Sequence, residues 1–280
     1  MNIVCLTATY GRPHLVANTV AMFYAQDYPA ENRRLLILDD AGQIYGHGPD
    51  WQVFSVPDRF PRLVDKYASM LGMLADWWPQ WEAVAIMDDD DIFGPQWLSS
   101  HAAALESREH RHWQTTEGCY DESRQRQWSH PARVLSLYGV NVLAGQPPVN
   151  EPSAGRFWAS AAISRPLLER TGGFQSSDST AFDQAHLALW QREAGDPGRP
   201  DAFAGPHFVY GWGRARFHDS GLQRPAEGWQ PLSQLEDPRR GIEIVPQMDA
   251  TTRLLYDTIW PHAWYDVTAI RPNALGVRKP

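Results

Sequence analysis

The residues best suited to chemistry stand together at Asp88-Asp89-Asp90-Asp91. They follow the apolar run Ala83-Val84-Ala85-Ile86-Met87 directly, and Gly94-Pro95 then breaks the chain. Four adjacent carboxylates repel one another unless solvent, a cation or nearby bases offset the charge. An apolar run of this length, bounded by turn residues, suits a strand buried on both faces. The acids then lie at its carboxyl end, where open α/β sheets bind ligands. The stretch reads as a metal and ligand site.

A calcium loop is excluded. An EF-hand beginning at Asp89 places Gly94 correctly, but it needs an oxygen ligand where Phe93 stands and a bidentate Glu where Ser100 stands. A solvated acidic turn is the bland alternative, and surface turns seldom follow so apolar a strand. Carboxylates combined with phosphate oxygens select Mg2+ or Mn2+. Such sites use one or two protein carboxylates and complete the shell from substrate phosphates, which points to a nucleotide or diphosphate ligand. Asp39-Asp40, after the run Leu35-Leu36-Ile37-Leu38, supports this from a second strand end, where a carboxylate can accept hydrogen bonds from a base or ribose. Alone, such a pair is more often a cap or turn.

The elements that must position these acids follow from periodicity. Residues 3–10 read as a first strand, and Pro13 opens a helix whose apolar positions run to Phe23. Residues 34–38 and 51–56 read as strands, and Leu63, Tyr67, Met70, Leu71, Leu74 and Trp78 mark a second helix leading into the acidic strand. Helices between strands imply a mainly parallel sheet. Further on, 112–120 and 125–130 are expected to pair as a hairpin around Asp-Glu-Ser-Arg, with strands at 134–142 and 157–163. Helices are expected at 165–170, 182–190 and 254–259, with 221–249 a polar, Pro-rich excursion.

Composition narrows the class. The 280 residues are 43% hydrophobic, which argues against disorder, and the net charge of −8 speaks against a general nucleic-acid binder. Thirteen tryptophans suit either a core or sugar-stacking surfaces. Cys5 and Cys119 cannot form a disulfide framework, and Cys5 reads as a small buried hydrophobe. With no signal-peptide pattern and no membrane-length apolar stretch, the expectation is a cytoplasmic protein, with peripheral membrane contact left open.

Three stretches in order carry a resemblance. Thr7-Ala8-Thr9-Tyr10-Gly11-Arg12-Pro13, Leu36-Ile37-Leu38-Asp39-Asp40, and Met87-Asp88-Asp89-Asp90-Asp91-Ile92 with Pro95 resemble the signatures of GT-A glycosyltransferases of the family-2 type. The resemblance implies an α/β, Rossmann-like GT-A fold, with a mainly parallel central sheet, a smaller antiparallel part and a C-terminal extension. Residues 1–105 would form the donor half, 106–220 the acceptor and catalytic half, and 221–280 the extension. Thr7, Thr9, Arg12, Asp39 and Asp40 would hold the nucleotide of a sugar-nucleotide donor, a UDP-sugar foremost, with Lys66 or Arg62 nearby. Asp88 and Asp90 would contact donor, and Asp90 and Asp91 a Mn2+ or Mg2+ ion. Asp89 is expected to point away and to be replaced most cheaply.

The likeness runs more thinly into the second half. Phe157 to Arg165 with Thr171-Gly172-Gly173-Phe174 resembles the family's strand, helix and turn, after which a catalytic Asp follows at a helix start. Asp183 matches it as general base, with Asp178 as the fallback, although Phe182 stands where the family usually has Glu. His218, with His207 as its rival, would join the metal, and Arg214 and Arg216 would neutralise diphosphate. The implied activity is an inverting, metal-dependent transfer to a hydroxyl of a glycan, a lipid-linked glycan or another acceptor, without nucleic acid. The alternatives are a non-catalytic carbohydrate- or nucleotide-binding protein on a degenerate transferase fold and a sugar nucleotidyltransferase. The second wants a Gly-rich loop that Gly11-Arg12-Pro13 is too short to form.

Overall fold

A computed structural model describes residues 1–115, 118–138, 149–153, 155–175, 181–203, 208–212 and 275–277. The chain begins with β1 (Ile3–Thr9), α1 (Pro13–Tyr24), β2 (Arg33–Asp39), β3 (Ile44–Gly46) and β4 (Trp51–Ser55). It continues with α2 (Leu63–Trp77), β5 (Ala83–Ile86), β6 (Ile92–Phe93) and α3 (Trp97–Glu106). Next come β7 (Arg108–Thr115), β8 (Gly118–Gln125), β9 (Trp128–Ser129), β10 (Arg133–Tyr138), β11 (Val149–Pro152) and β12 (Ala162–Ser164). Helices α4 (Arg165–Arg170) and α5 (Phe182–Ala194) precede β13 (Phe208–Trp212) and β14 (Leu275–Val277).

The central sheet runs β4-β2-β1-β5-β12-β9. Strands β4, β2, β1 and β5 are parallel, and β12 and β9 close one side antiparallel. Every residue of β1 and β5 is buried, as expected of strands covered on both faces. From β1 the chain winds outward to β2 and β4, then returns through α2 to β5 on the other side of β1. The strand order therefore reverses between β1 and β5, and the crevice at such a reversal, beyond the carboxyl ends, is where these sheets take ligands. Register places Thr9 beside Asp39, and Leu6 beside Ile86, so the first loop, Asp39-Asp40 and the acidic stretch share one edge.

A smaller sheet, β11-β10-β13-β6, carries the second half. Its β6 starts immediately after Asp91 and pairs with β13, which ties the acidic stretch to residues beyond 200. The sheet is not purely antiparallel, because β10 and β13 run parallel. Tryptophans 51, 97 and 190 are fully buried, so the described members of that surplus include much of the core. Among the described residues, no helix is long and apolar enough to cross a membrane.

Two local expectations are corrected. The hairpin pairs β7 with β8, from Arg108 opposite Gln125 to Thr115 opposite Gly118, and Asp121-Glu122-Ser123-Arg124 lies within β8. Residues 157–163 do not form one strand: Phe157 takes φ 66°, a 3-10 turn follows at Trp158–Ser160, and only β12 is extended. Helix α3 and strand β3 were not anticipated. The expected helix at 254–259 and excursion at 221–249 lie outside the described residues, as does the end of the strand expected at 134–142.

Candidate active site

Arg12 is the hub. It sits one residue beyond Gly11, whose φ of 65° turns the chain from β1 into α1. Its guanidinium lies 2.6 Å from Asp89 Oδ1 and donates to Asp90 Oδ2 at 3.1 Å. Thr9 Oγ1 donates to the other Asp89 oxygen at 2.6 Å. Burial alone would lower the Arg12 pKa, but Asp89, Asp90 and Asp88 outweigh it and keep the guanidinium firmly charged. Asp89, fully buried at its side chain, is therefore an anchor between β5 and the first loop. That opposes the expectation that it is the most cheaply replaced of the four, since the sequence gives no sign that Arg12 turns back onto it.

Lys66 extends this network. Its Nζ donates to the Thr9 carbonyl at 2.8 Å and to Asp40 Oδ1, and the Phe60 amide donates to Asp40 Oδ2 at 2.9 Å. Burial lowers the Lys66 pKa, and Asp40 pulls against that shift. Arg62 instead lies at the surface, 2.8 Å from Asp65. Asp39 has a loop-building job: it accepts from the amides of Ala41, Gln43 and Ile44 at 2.7–3.0 Å and from Ser55 Oγ at 2.9 Å. Thr7 Oγ1 donates to the Met87 carbonyl at 2.6 Å, joining β1 to the residue before the acids.

Asp88 behaves differently. The buried Tyr67 hydroxyl donates to its Oδ1. Burial first, and then the charge of Asp90, pushes the Asp88 carboxyl up to about 7, with the Tyr67 hydrogen bond opposing. Asp89 is also raised, to about 6, by burial, with Arg12 pulling it down. Asp91 is buried just before β6. Sequence reasoning placed Tyr67 on an apolar helix face and missed this bond; a tyrosine on a buried stripe needs a partner for its hydroxyl.

An aromatic chain joins this acid cluster to α5. Tyr67 meets Trp158 edge-on at 5.9 Å, and Trp158 meets Phe182 at 5.6 Å. Asp183 follows Phe182 in the first turn of α5, partly exposed. Asp178, His207, Arg214, Arg216 and His218 lie outside the described residues.

The donor set suits a hard cation without completing its shell. Carboxylate oxygens match Mg2+ or Mn2+, and a divalent charge would relieve the repulsion that Asp90 exerts on Asp88. Among the described residues, no three His, Cys, Asp or Glu side chains converge into a metal-holding group. A cation here would take further oxygens from a ligand, as Mg2+ sites commonly do.

No family model and no curated protein matches the chain. Among solved structures it is similar to the mannosyltransferase PcManGT from Pyrobaculum calidifontis, in complex with GDP-Man and Mn2+. The TM-score is 0.50 at 17% identity, over 78% of this chain and 58% of that one. The fold is that of a GT-A-like glycosyltransferase. TarS from S. aureus (1–349) is also similar, with a TM-score of 0.49 at 12% identity over 75% of this chain and 60% of that one. Its complex with UDP-GlcNAc gives 0.46 at 13% identity, over 89% and 65%. The chain spans less than two thirds of the length of each of these structures. At 17% identity the likeness to PcManGT concerns the GT-A-like fold, and it bears out the mixed α/β class expected from the sequence.

Proposed function

We propose that this chain is an inverting glycosyltransferase of the family-2 type, moving a sugar from a nucleotide-diphosphate donor, foremost a UDP-sugar, to an acceptor hydroxyl. The observation that carries the reading is the meeting, at the β1/β5 reversal, of the carboxylates of Asp40, Asp89 and Asp90 with a largely buried arginine and a buried lysine in a GT-A-like fold. The presence of GDP-Man and Mn2+ on PcManGT supports the donor class and the choice of cation.

In this reading Thr7, Thr9, Arg12, Asp40 and Lys66 shape the nucleotide side of the crevice, and Asp39 fixes the loop beneath it. Asp88 and Asp90 face the donor. A Mg2+ or Mn2+ ion held by Asp90 and Asp91, with His218 as a further ligand, would supply positive charge where the nucleoside diphosphate departs. Asp183 takes the proton from the acceptor hydroxyl as its oxygen attacks the anomeric carbon and the bond to diphosphate breaks. Arg12 brings a permanent charge to the same crevice.

One observation favours a second reading. Arg12 pairs with Asp90, which would suit a binding protein that holds nucleotide without turnover. A thermal-shift screen of sugar nucleotides with and without Mn2+ tests the donor site, since a ligand that binds only the folded state raises its apparent stability. A rise of several degrees with a UDP-sugar and metal is expected, and no shift with any nucleotide would remove the donor-site reading. Asp183→Asn then separates the two: a transferase loses roughly 10²–10⁴ in rate with donor binding intact, whereas a wild type that binds without turnover is the binding protein.

A further inference from the structure

His186 stands in α5 three residues after Asp183, and its ring makes two hydrogen bonds that only one tautomer satisfies. The Gln175 amide donates to Nε2 at 2.9 Å, so Nε2 carries no proton. Nδ1 lies 2.7 Å from the Phe182 carbonyl, which only accepts, so Nδ1 carries it. The imidazole is neutral and 4% exposed, with Trp158 edge-on at 5.5 Å and Trp190 and Phe174 also in contact.

Ala181 at the N-cap of α5 offers no side-chain oxygen to the first-turn amides. The bond from Gln175 joins the turn at Gly172-Gly173-Phe174 to the helix that carries Asp183. Trp158, which packs on this imidazole, also packs on Tyr67, whose hydroxyl holds Asp88.

We propose that His186 is a positioning residue: it fastens the first turn of α5, and with it Asp183, at a fixed place relative to the acidic crevice. The inference rests on the transfer reading above and adds a residue to it. His186 does not touch the reacting atoms; its effect passes through the backbone of Gln175 and Phe182.

Two variants and two measurements test this. His186→Phe keeps an aromatic ring and removes both hydrogen bonds, whereas His186→Gln keeps an amide oxygen able to accept from Gln175. The expected result is a kcat at least tenfold lower in His186→Phe, with the donor KM within twofold, and a much smaller loss in His186→Gln. An unchanged kcat in His186→Phe overturns the proposal. So does an equal loss in both variants with the donor KM rising in step, since that is general damage. Amide exchange reads the clasp without any turnover: the Gln175 amide should exchange at least tenfold faster in His186→Phe, while amides near Trp190 hold their protection. Unchanged exchange overturns the clasp. A wild type inert toward every sugar nucleotide overturns the transfer reading, and the positioning role in catalysis with it, even where exchange shows the clasp.

Discussion

Arg12 Nη2 lies 2.6 Å from Asp89 Oδ1, and both side chains are largely withdrawn from water. A buried pair of this kind tolerates the loss of one partner poorly, because the other remains charged and uncompensated, at about 3–5 kcal/mol. Asp89 should therefore be the most structurally costly member of the acidic stretch to replace. Asp89→Asn and Arg12→Met should each lower the denaturant midpoint by a corresponding amount. An Asp89→Asn protein as stable as wild type would show that the pair contributes nothing.

Asp40 and Lys66 call for a double-mutant cycle. Each single change, Asp40→Asn or Lys66→Met, leaves a buried partner and should cost about 3–5 kcal/mol. The double variant should cost less than the sum of the two, as residues in direct contact couple by 0.5–3 kcal/mol as a rough range. Strict additivity in urea unfolding would mean that the pair is not formed in solution.

The pH dependence has a definite sign. Asp88 titrates near 7 in the folded chain, against a reference of 3.8, because burial and Asp90 disfavour its charge. The folded state thus binds more protons than the unfolded state between those values, and this group's contribution to stability falls as pH rises across that window. Ligand-free protein should gain stability from Asp88 as pH drops from 7.5 towards 5, and Asp88→Asn should remove that gain. A divalent cation should bind more tightly as pH rises through about 7, because the carboxyl must first lose its proton. Titrations of Mn2+ at pH 6 and 8 that give equal affinity would exclude Asp88 from the cation's surroundings.

Gly198 has no room for a side chain. A Cβ there would fall 2.4 Å from the Ala104 carbonyl oxygen in α3, while the Gly198 amide donates to the Trp128 carbonyl in β9. Gly198→Ala must part helix from strand, at about 1–3 kcal/mol, the usual cost of overpacking. A thermal midpoint within one degree of wild type, as an order-of-magnitude criterion, would contradict this contact.

The parallel half of the fold was legible because its strands are buried on both faces. Runs such as Ile3-Val4-Cys5-Leu6 and Ala83-Val84-Ala85-Ile86 carry no polar residue to confuse them. Helix α3 was not, since its buried face includes Ser100 and His101, whose polarity hides the stripe. The misplaced hairpin turn has a similar cause: a polar run can be the outer part of a strand, as Ser123 and Gln125 are in β8. At the site, the clusters at 88–91 and 39–40 were visible as clusters. Their division of labour was not. Whether Asp89 or Asp90 is held by Arg12, and whether Tyr67 reaches Asp88, depends on side-chain directions across about 80 and 20 residues of sequence, which no local pattern encodes.

Strand β3, just beyond the Asp39 loop, finds its antiparallel partner in β14, through Ile44 with Val277 and Gly46 with Leu275. That pairing gives this side of the crevice a delay on the ribosome. About 230 residues separate the two strands, so at roughly 5–20 residues per second β3 presents an open edge for on the order of 10–50 s before β14 has been made. An unpaired edge is a template for foreign strands. Tyr45, half-exposed even in the finished molecule, sits in the middle of that edge. Expression yield should thus respond to changes at Tyr45 more than equilibrium stability does.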